Sequence, residues 1–215
     1  MLRILLADDH DVVRRGLRDQ LSQHEGWLIC GEASNGREAV KMALELTPDV
    51  VVLDLSMPEL NGLEATRQIR RELPQTEVLI FTMHDTEHLI REVLAAGARG
   101  YVLKSDAGRH LTSAVEALSL HKPFFTAKVS QSLLDAFLQG NAGSDEKSVF
   151  RTLTDREREI VQMLAEGKSN KQIGVSLGIS VKTVETHRAT VMRKLEINSI
   201  VELVHYAIRN QMVEA

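Results

Sequence analysis

A single cysteine, Cys30, in 215 residues excludes an intramolecular disulfide and any zinc cluster built on several thiolates, and it fits a reducing compartment. Long apolar runs are missing too: none approaches the roughly 20 residues needed to span a bilayer. The opening residues Met1-Leu2-Arg3-Ile4 pass straight into a strand pattern, without the layout of a secretory signal. The expectation is a soluble, unprocessed, cytoplasmic chain with no membrane partner. What is present, 43% hydrophobic and 26% charged residues, suffices for one or two ordinary cores and excludes a disordered polymer. Two domains are expected.

The net charge of −4 is unevenly divided: residues 1–121 carry 13 Lys/Arg against 19 Asp/Glu, 122–149 carry 3 against 3, and 150–215 carry 10 against 8. An acidic first part and a weakly basic last part point to separate tasks. An excess of two cations does not by itself establish a nucleic-acid face.

Along residues 1–121, short apolar runs alternate with amphipathic stretches. Strands are predicted at Arg3-Ala7, Leu28-Glu32, Val50-Asp54, Val78-Thr82 and Gly100-Leu103. Helices are predicted near Asp11-Ser22, Gly36-Glu45, Gly62-Glu72, Glu87-Ala95 and Ala107-Leu120, from apolar spacings of three and four. Near-continuous apolar strands such as Val50-Val51-Val52-Leu53 imply a sheet covered on both faces, hence an α/β doubly wound, five-stranded parallel sheet. Ligands of such sheets bind outside the carboxyl ends of the strands, where strand order reverses. Asp8, Asp9, Asp54, Thr82 and Lys104 all stand at or just beyond such an end. Each has an ordinary reading alone: the Asp8-Asp9 pair as a helix cap, Thr82 as a β-branched strand residue, Lys104 as a solvated turn lysine. Their recurrence at equivalent strand ends favours one shared crevice.

The chemistry assigns roles within that crevice. Carboxylates of Asp8, Asp9 and Asp54 make an oxygen-rich site for a hard cation, and Mg²⁺ is expected. Asp54 is the nucleophile toward phosphorus, Lys104 pairs with the phosphoryl oxygens, and the Thr82 hydroxyl donates a hydrogen bond to one of them. No general base is needed, because a carboxylate is already ionised at neutral pH.

With "LLADDH", "VVLDLSMPELNG", "LIFTMH" and "GYVLKSD" in these places, residues 1–121 resemble the flavodoxin-like receiver domain of two-component response regulators. The resemblance implies a phosphohistidine on a sensor histidine kinase as phosphoryl donor, and the Ser56 backbone carbonyl as a further Mg²⁺ ligand. Thr82 and Tyr101 become the switch pair, Tyr101 turning inward as Thr82 moves toward the phosphate; the ordinary reading of Tyr101 is a surface ring packing on the last strand. The face of the fourth helix, fifth strand and fifth helix is expected to be remodelled, driven by the added charge of about −1.5 to −2. Met83 stands where many receivers have a small residue, and its bulk narrows access to Asp54 in this reading. Met83→Ala is therefore expected to speed phosphorylation by acetyl phosphate, read as the rate of phosphoprotein formation; an unchanged rate removes the size argument.

Residues 122–149 read as a linker, partly helical over Val129–Leu138 and then flexible through Gly140–Lys147. In 150–215, Thr154…Glu157, Ser169…Gln172 and Ser199…Glu202 have capping-box spacing, Ser180 is a favourable N-cap and Gly167 a stop. Four helices follow near 155–165, 170–176, 181–195 and 200–210, the second and third forming a helix-turn-helix. The long stretch "LTDREREIVQMLAEGKSNKQIGVSLGISVKTVETHRATVMRKL" resembles the LuxR-type DNA-binding domain, so the whole is similar to response regulators of the NarL/FixJ type. Gly174 departs from the usual Ala, at up to about 1 kcal/mol of helix stability.

A helix in the major groove needs a polar outer side and flanking cations. Lys182, Thr183, Glu185, Thr186, Arg188 and Ala189 are the outward candidates; Val184, Val191 and Leu195 form the buried stripe. Lys168, Lys171, Arg193 and Lys194 are candidates for phosphates, and His187 reads equally as a DNA contact or a structural residue. The reading is a phosphorylation-gated transcription factor that binds promoter DNA as a dimer. The resemblance puts one dimer contact around Val201–Asn210 and admits RNA polymerase as a further partner. Two rivals stand beside it: an Mg²⁺-dependent phosphatase passing through an aspartyl phosphate, and a constitutive DNA-binding protein whose first domain only dimerises.

Overall fold

The apolar runs of the N-terminal part become strands in the computed structural model, which describes residues 1–127, 129–131 and 153–213. They are β1 Leu2–Ala7, β2 Trp27–Ala33, β3 Val50–Leu53, β4 Glu77–Thr82 and β5 Gly100–Leu103, alternating with α1 Asp11–Leu21, α2 Gly36–Leu46, α3 Gly62–Glu72, α4 Glu87–Ala95 and α5 Ala107–Ser119. Asn35 and Asn61 start α2 and α3 by accepting the amides of Glu38 and Glu64, which satisfies otherwise unpaired N–H groups. The chain divides into two compact units, the first carrying the sheet and the second the last four helices.

Among the described residues these strands and a sixth, β6 Phe124–Phe125, form one parallel sheet in the order β2-β1-β3-β4-β5-β6. Side chains alternate between faces, and both faces are covered. Ile4, Leu6, Val50, Val52, Leu79, Phe81 and Val102 pack with Leu17 and Leu21 of α1 and Leu111, Val115 and Leu118 of α5. Leu5 points the other way, to the side where Met42 and Leu46 of α2 approach Gly31. Each fully buried Leu, Ile or Val contributes about 1.5–3 kcal/mol, which is why the strands tolerate no polar alternation.

Strand order reverses between β1 and β3, and Ala7 pairs with Leu53 there. The first residues past those ends, Asp8 and Asp54, are thereby neighbours; the Asp54 amide donates to the Ala7 carbonyl at 2.8 Å. A sixth strand, β6 Phe124–Phe125, extends the sheet beyond the five expected, pairing with Gly100 and Tyr101. Two residues are too short to show a periodicity in sequence, and β6 lies in the segment read as linker. Residues 132–152, with most of the Val129–Leu138 stretch and all of Gly140–Lys147, lie outside the described residues.

The C-terminal unit contains α6 Asp155–Ala165, α7 Asn170–Leu177, α8 Val181–Lys194 and α9 Ile200–Arg209. Thr154/Glu157 and Ser169/Gln172 form reciprocal capping boxes. At the third expected box Ser199 accepts the Glu202 amide, but the Glu202 carboxylate reaches the Asn198 amide, one residue earlier. Ser180 caps α8 through the Thr183 amide. Gly167 ends α6 at φ 79°, with the Lys168 amide returning to the Met163 carbonyl at 3.0 Å, the six-to-one closure of a Schellman turn. A Cβ on Gly174 would lie 2.9 Å from the Ile179 carbonyl oxygen, so the close approach of the α7–α8 turn accounts for a glycine that helix propensity alone disfavours.

Glu157 also holds Lys194 at 2.7 Å with its carboxylate nearly buried. Burial alone would push this carboxyl up, yet the Lys194 ammonium and the Thr154 amide outweigh it and hold it below the usual carboxylate range. A carboxyl lowered by folding contributes stability that is present above its unfolded value and lost as pH falls through the folded one. Glu157→Gln keeps the cap geometry but removes the charge, and is expected to cost about 1–3 kcal/mol at neutral pH. Urea unfolding of both proteins from pH 7 downward should show the difference shrinking below about pH 4; a constant difference excludes the ion pair as its cause.

Candidate functional site

Five polar groups converge on the carboxyl end of the sheet. Lys104 enters from the end of β5 and sets its Nζ 2.7 Å from Asp8 Oδ2 and 2.8 Å from Asp54 Oδ2, with both carboxylates buried. Asp54 Oδ1 accepts the Leu55 amide at 2.7 Å, and Asp8 Oδ1 accepts the His10 amide at 2.9 Å. Asp9 is partly exposed beside them. The ordinary reading of the acidic pair as a helix cap does not describe it: the N-cap of α1 is His10, whose side chain makes no capping bond.

The electrostatics follow from one ammonium shared by two buried acids. Burial pushes the Asp54 carboxyl above its usual range, against the pull of the Lys104 hydrogen bond and charge, and the Asp8 charge adds to the rise. For Lys104 burial acts to lower the pKa, but the hydrogen bonds and charges of Asp54 and Asp8 prevail and raise it. Three carboxylates against one ammonium leave an excess of two negative charges, the count that a divalent cation neutralises. Asp8 Oδ2 is buried against the Lys104 ammonium at 2.7 Å, and a carboxylate oxygen that meets one cation keeps a lone pair for another ligand. The acidic cluster is compatible with Mg²⁺ binding: donor atoms of Asp8, Asp9, His10 and Asp54 lie within 4.8 Å of one another.

Thr82 ends β4 fully buried, and the His84 amide donates to its Oγ1 at 3.4 Å. Tyr101 is fully buried, not a ring lying on the surface, and its hydroxyl donates to the His84 carbonyl at 2.7 Å. Burial, with the charges of Asp85 and Asp54, pushes its phenol up. Ser56 is half-buried in the loop after β3, with Oγ 2.9 Å from His84 Nε2. Met83 is 68% exposed, its bulk turned to solvent and not packed into the core.

In the C-terminal unit, α8 buries Val184 and Val191, with Leu195 half-buried after its end. Lys182, Thr183, Glu185, Thr186 and Ala189 are exposed along the opposite side; His187 and Arg188 are half-buried at its flank. Lys171, Lys182, Arg188 and Arg193 have no ion-pair partner among the described residues. Lys194 is instead tied to Glu157, and Lys168 lies 3.4 Å from Glu166. The helix thus presents polar groups and unneutralised cations on one side, the combination a duplex backbone attracts.

Residues 4–116 match the response regulator receiver domain, and residues 151–207 match the bacterial regulatory proteins of the luxR family. The chain is a LuxR-type response regulator. It belongs with the NarL/FixJ-type members, which are DNA-binding transcription regulators and not enzymes. The regulator is 38% identical over 214 residues to the transcriptional regulatory protein LiaR of Bacillus subtilis (strain 168), spanning 99% of this chain and 100% of that one. It is 39% identical over 217 residues to the oxygen regulatory protein NreC of Staphylococcus epidermidis (strain ATCC 35984), with the same coverage. Among solved structures it is similar to the two-component response regulator RcsB in complex with DNA, at 28% identity and TM-score 0.58 over 95% of this chain and 96% of that one. It is also similar to a LuxR-family response regulator from Aurantimonas sp. SI85-9A1, at 37% identity and TM-score 0.61 over 63% of this chain and 97% of that one.

Two residues of the regulator's site escaped the sequence reading. His84 gathers Ser56, Thr82 and Tyr101 around one side chain and its backbone, and His10 joins the acidic cluster. The available signal was adjacency: His84 comes two residues after Thr82, and His10 directly follows the acidic pair.

Proposed function

We propose that Asp54 accepts a phosphoryl group from a phosphohistidine of a sensor histidine kinase, and that the resulting change controls dimerisation and binding of α8 to promoter DNA. The observation that carries this reading is the Lys104 ammonium bridging Asp8 and Asp54 at 2.7 and 2.8 Å. Asp54 is held with its nucleophilic oxygen facing a cation, at the switch point where an incoming ligand meets the sheet. In this reading the pair needs no separate general base, since the Lys104 ammonium donates directly to the Asp54 oxygen.

In this reading Asp8, Asp9, Asp54 and the Ser56 carbonyl hold Mg²⁺. When bound, that ion offsets the repulsion between the carboxylates and the phosphoryl oxygens. Lys104 moves from carboxylate to phosphoryl oxygen without leaving the crevice, and the Thr82 hydroxyl donates to a second oxygen. Movement of Thr82 then acts on His84, whose amide it accepts, and through the His84 carbonyl on the hydroxyl of Tyr101. A bistable element of this kind converts one added dianion into a change of surface.

On the DNA side, Lys182, Thr183, Glu185, Thr186 and Ala189 face the base edges, while Lys171, Arg188 and Arg193 take phosphates and His187 contacts the groove wall. Lys194 and Lys168 contribute at the rim, after exchanging an acidic partner for phosphate. A homodimer reading two half-sites is supported by the small surface of one module, and by the similar regulator RcsB, solved as two dimers bound to two parallel DNAs. A cytoplasmic site of action follows from contact with promoter DNA. No helix among the described residues is long and apolar enough to cross a membrane.

Promoter binding of the wild type and Asp54→Ala, measured before and after treatment with the phosphorylated kinase, tests the gating. Phosphorylation is expected to tighten wild-type binding about tenfold or more, a coupling of about 1.4 kcal/mol, and to leave Asp54→Ala unchanged. Equal and tight binding by both proteins in every condition rejects gating. Turnover of free phosphate monoesters would instead favour a phosphatase.

A further inference from the structure

One donor in the acidic cluster is not an oxygen. His10 stands at the N-cap of α1, yet its imidazole makes no capping bond; Nδ1 lies 2.7 Å from Asp9 Oδ1 and 3.4 Å from Asp8 Oδ1. Its backbone amide is held by Asp8 Oδ1 at 2.9 Å, which fixes where the side chain starts. The ring is 63% exposed, so it can turn without disturbing the core. Asp8, Asp9, His10 and Asp54 each offer one donor atom within a span of 4.8 Å. Two metal–donor bonds of about 2.1 Å span about 4.2 Å, so a small contraction brings the four atoms onto one ion.

We propose that His10 is a ligand of the cation site and that its nitrogen shifts the site's preference from Mg²⁺ toward a borderline first-row divalent ion. This rests on Asp8, Asp9 and Asp54 forming a cation site. Mg²⁺ takes oxygen ligands and dehydrates reluctantly, so it gains little from an imidazole. First-row transition ions bind imidazole well, and their affinity rises from Mn²⁺ to Co²⁺ and beyond. His10 then acts as a selectivity element: the carboxylates attract either kind of ion, and the imidazole discriminates between them. His10 is the extended N-cap residue just before α1, and its backbone amide is anchored on Asp8, so the ring starts from a fixed backbone position beside the carboxylates.

The test titrates the full-length protein, its His10→Ala variant and its Asp9→Asn variant separately with Mg²⁺ and with Co²⁺ by calorimetry, and records pulsed EPR of the Mn²⁺ complexes. His10→Ala is expected to weaken Co²⁺ binding about tenfold or more, to change Mg²⁺ binding less than about twofold, and to remove a directly bound nitrogen coupling seen in the wild type. Equal Co²⁺ affinity of wild type and His10→Ala, or absence of nitrogen coupling in the wild type, overturns the proposal. Co²⁺ binding that survives Asp9→Asn at full strength belongs to other histidines and also overturns it. Mg²⁺ binding that survives Asp9→Asn at full strength rejects the underlying cation site, an outcome separate from the first two.

Discussion

Lys104→Met is expected to lower the stability of the N-terminal unit by about 3–5 kcal/mol in magnesium-free buffer at neutral pH, the cost of leaving a buried ion network without its cation. Asp8 and Asp54 are both buried, and Lys104 lies within 2.8 Å of each. Methionine keeps most of the aliphatic stem and removes the charge, so packing loss is small by comparison. The Asp54 carboxyl is already raised by burial with Lys104 in place, and without the ammonium it rises further. A carboxyl raised by folding favours the native state below its unfolded value and loses that advantage as pH rises through the folded one. The variant's deficit should therefore be small in acid and grow toward neutral pH. Added Mg²⁺ should recover part of it, because the ion replaces the missing charge. Urea unfolding at several pH values, with and without Mg²⁺, measures this. A deficit below about 1 kcal/mol at neutral pH, the scale of an exposed ion pair, would show that the site is solvated and not a buried network.

Gly62→Ala is expected to remove about 3 kcal/mol and to weaken Mg²⁺ binding, because the smallest side chain has nowhere to go. A Cβ on Gly62 would stand 1.9 Å from the carbonyl oxygen of Asp54, 2.8 Å from its carbonyl carbon and 2.9 Å from Leu55 Cα. These are backbone atoms, so no rotamer change relieves the clash, and overpacking of this kind costs about 1–3 kcal/mol or more. The Gly62 amide donates to the Leu55 carbonyl at 2.9 Å, closing the loop that carries Ser56. Moving α3 away would open that loop and displace Asp54 from Lys104. Thermal unfolding and a Mg²⁺ titration read the two effects. A variant that loses stability but keeps wild-type Mg²⁺ affinity would separate the loop from the site.

Much of the site was legible because its residues mark strand ends. Asp8, Asp54, Thr82 and Lys104 each close an apolar run, and a run of four or five β-branched or leucine residues leaves little doubt about where a buried strand stops. The caps of α6, α7 and α8 were legible for a similar reason: the pairs Thr154/Glu157 and Ser169/Gln172, and Ser180, act within four residues, so local sequence contains the whole interaction. What was not legible depends on partners far apart in the chain. Lys194 looked like a phosphate contact, yet its partner Glu157 is 37 residues away. His84 drew no role from sequence, because its partners Ser56 and Tyr101 lie 28 and 17 residues away. β6 was hidden because two phenylalanines have no period, and only the open edge of β5 gives them a place.

The sequence by itself determined the alternation of strands and helices, the two-domain plan and the chemical class of each strand-end residue, because hydrophobic period and capping are short-range effects. Only the tertiary structure decided which charges meet. Strand order, a long-range property, set Asp8 beside Asp54 and brought Lys104 between them, so one ammonium serves two buried acids. It also gathered His10 into the acidic cluster and gave Lys194 to Glu157, since the energy of a buried charge depends on what surrounds it in space and not on its neighbours along the chain.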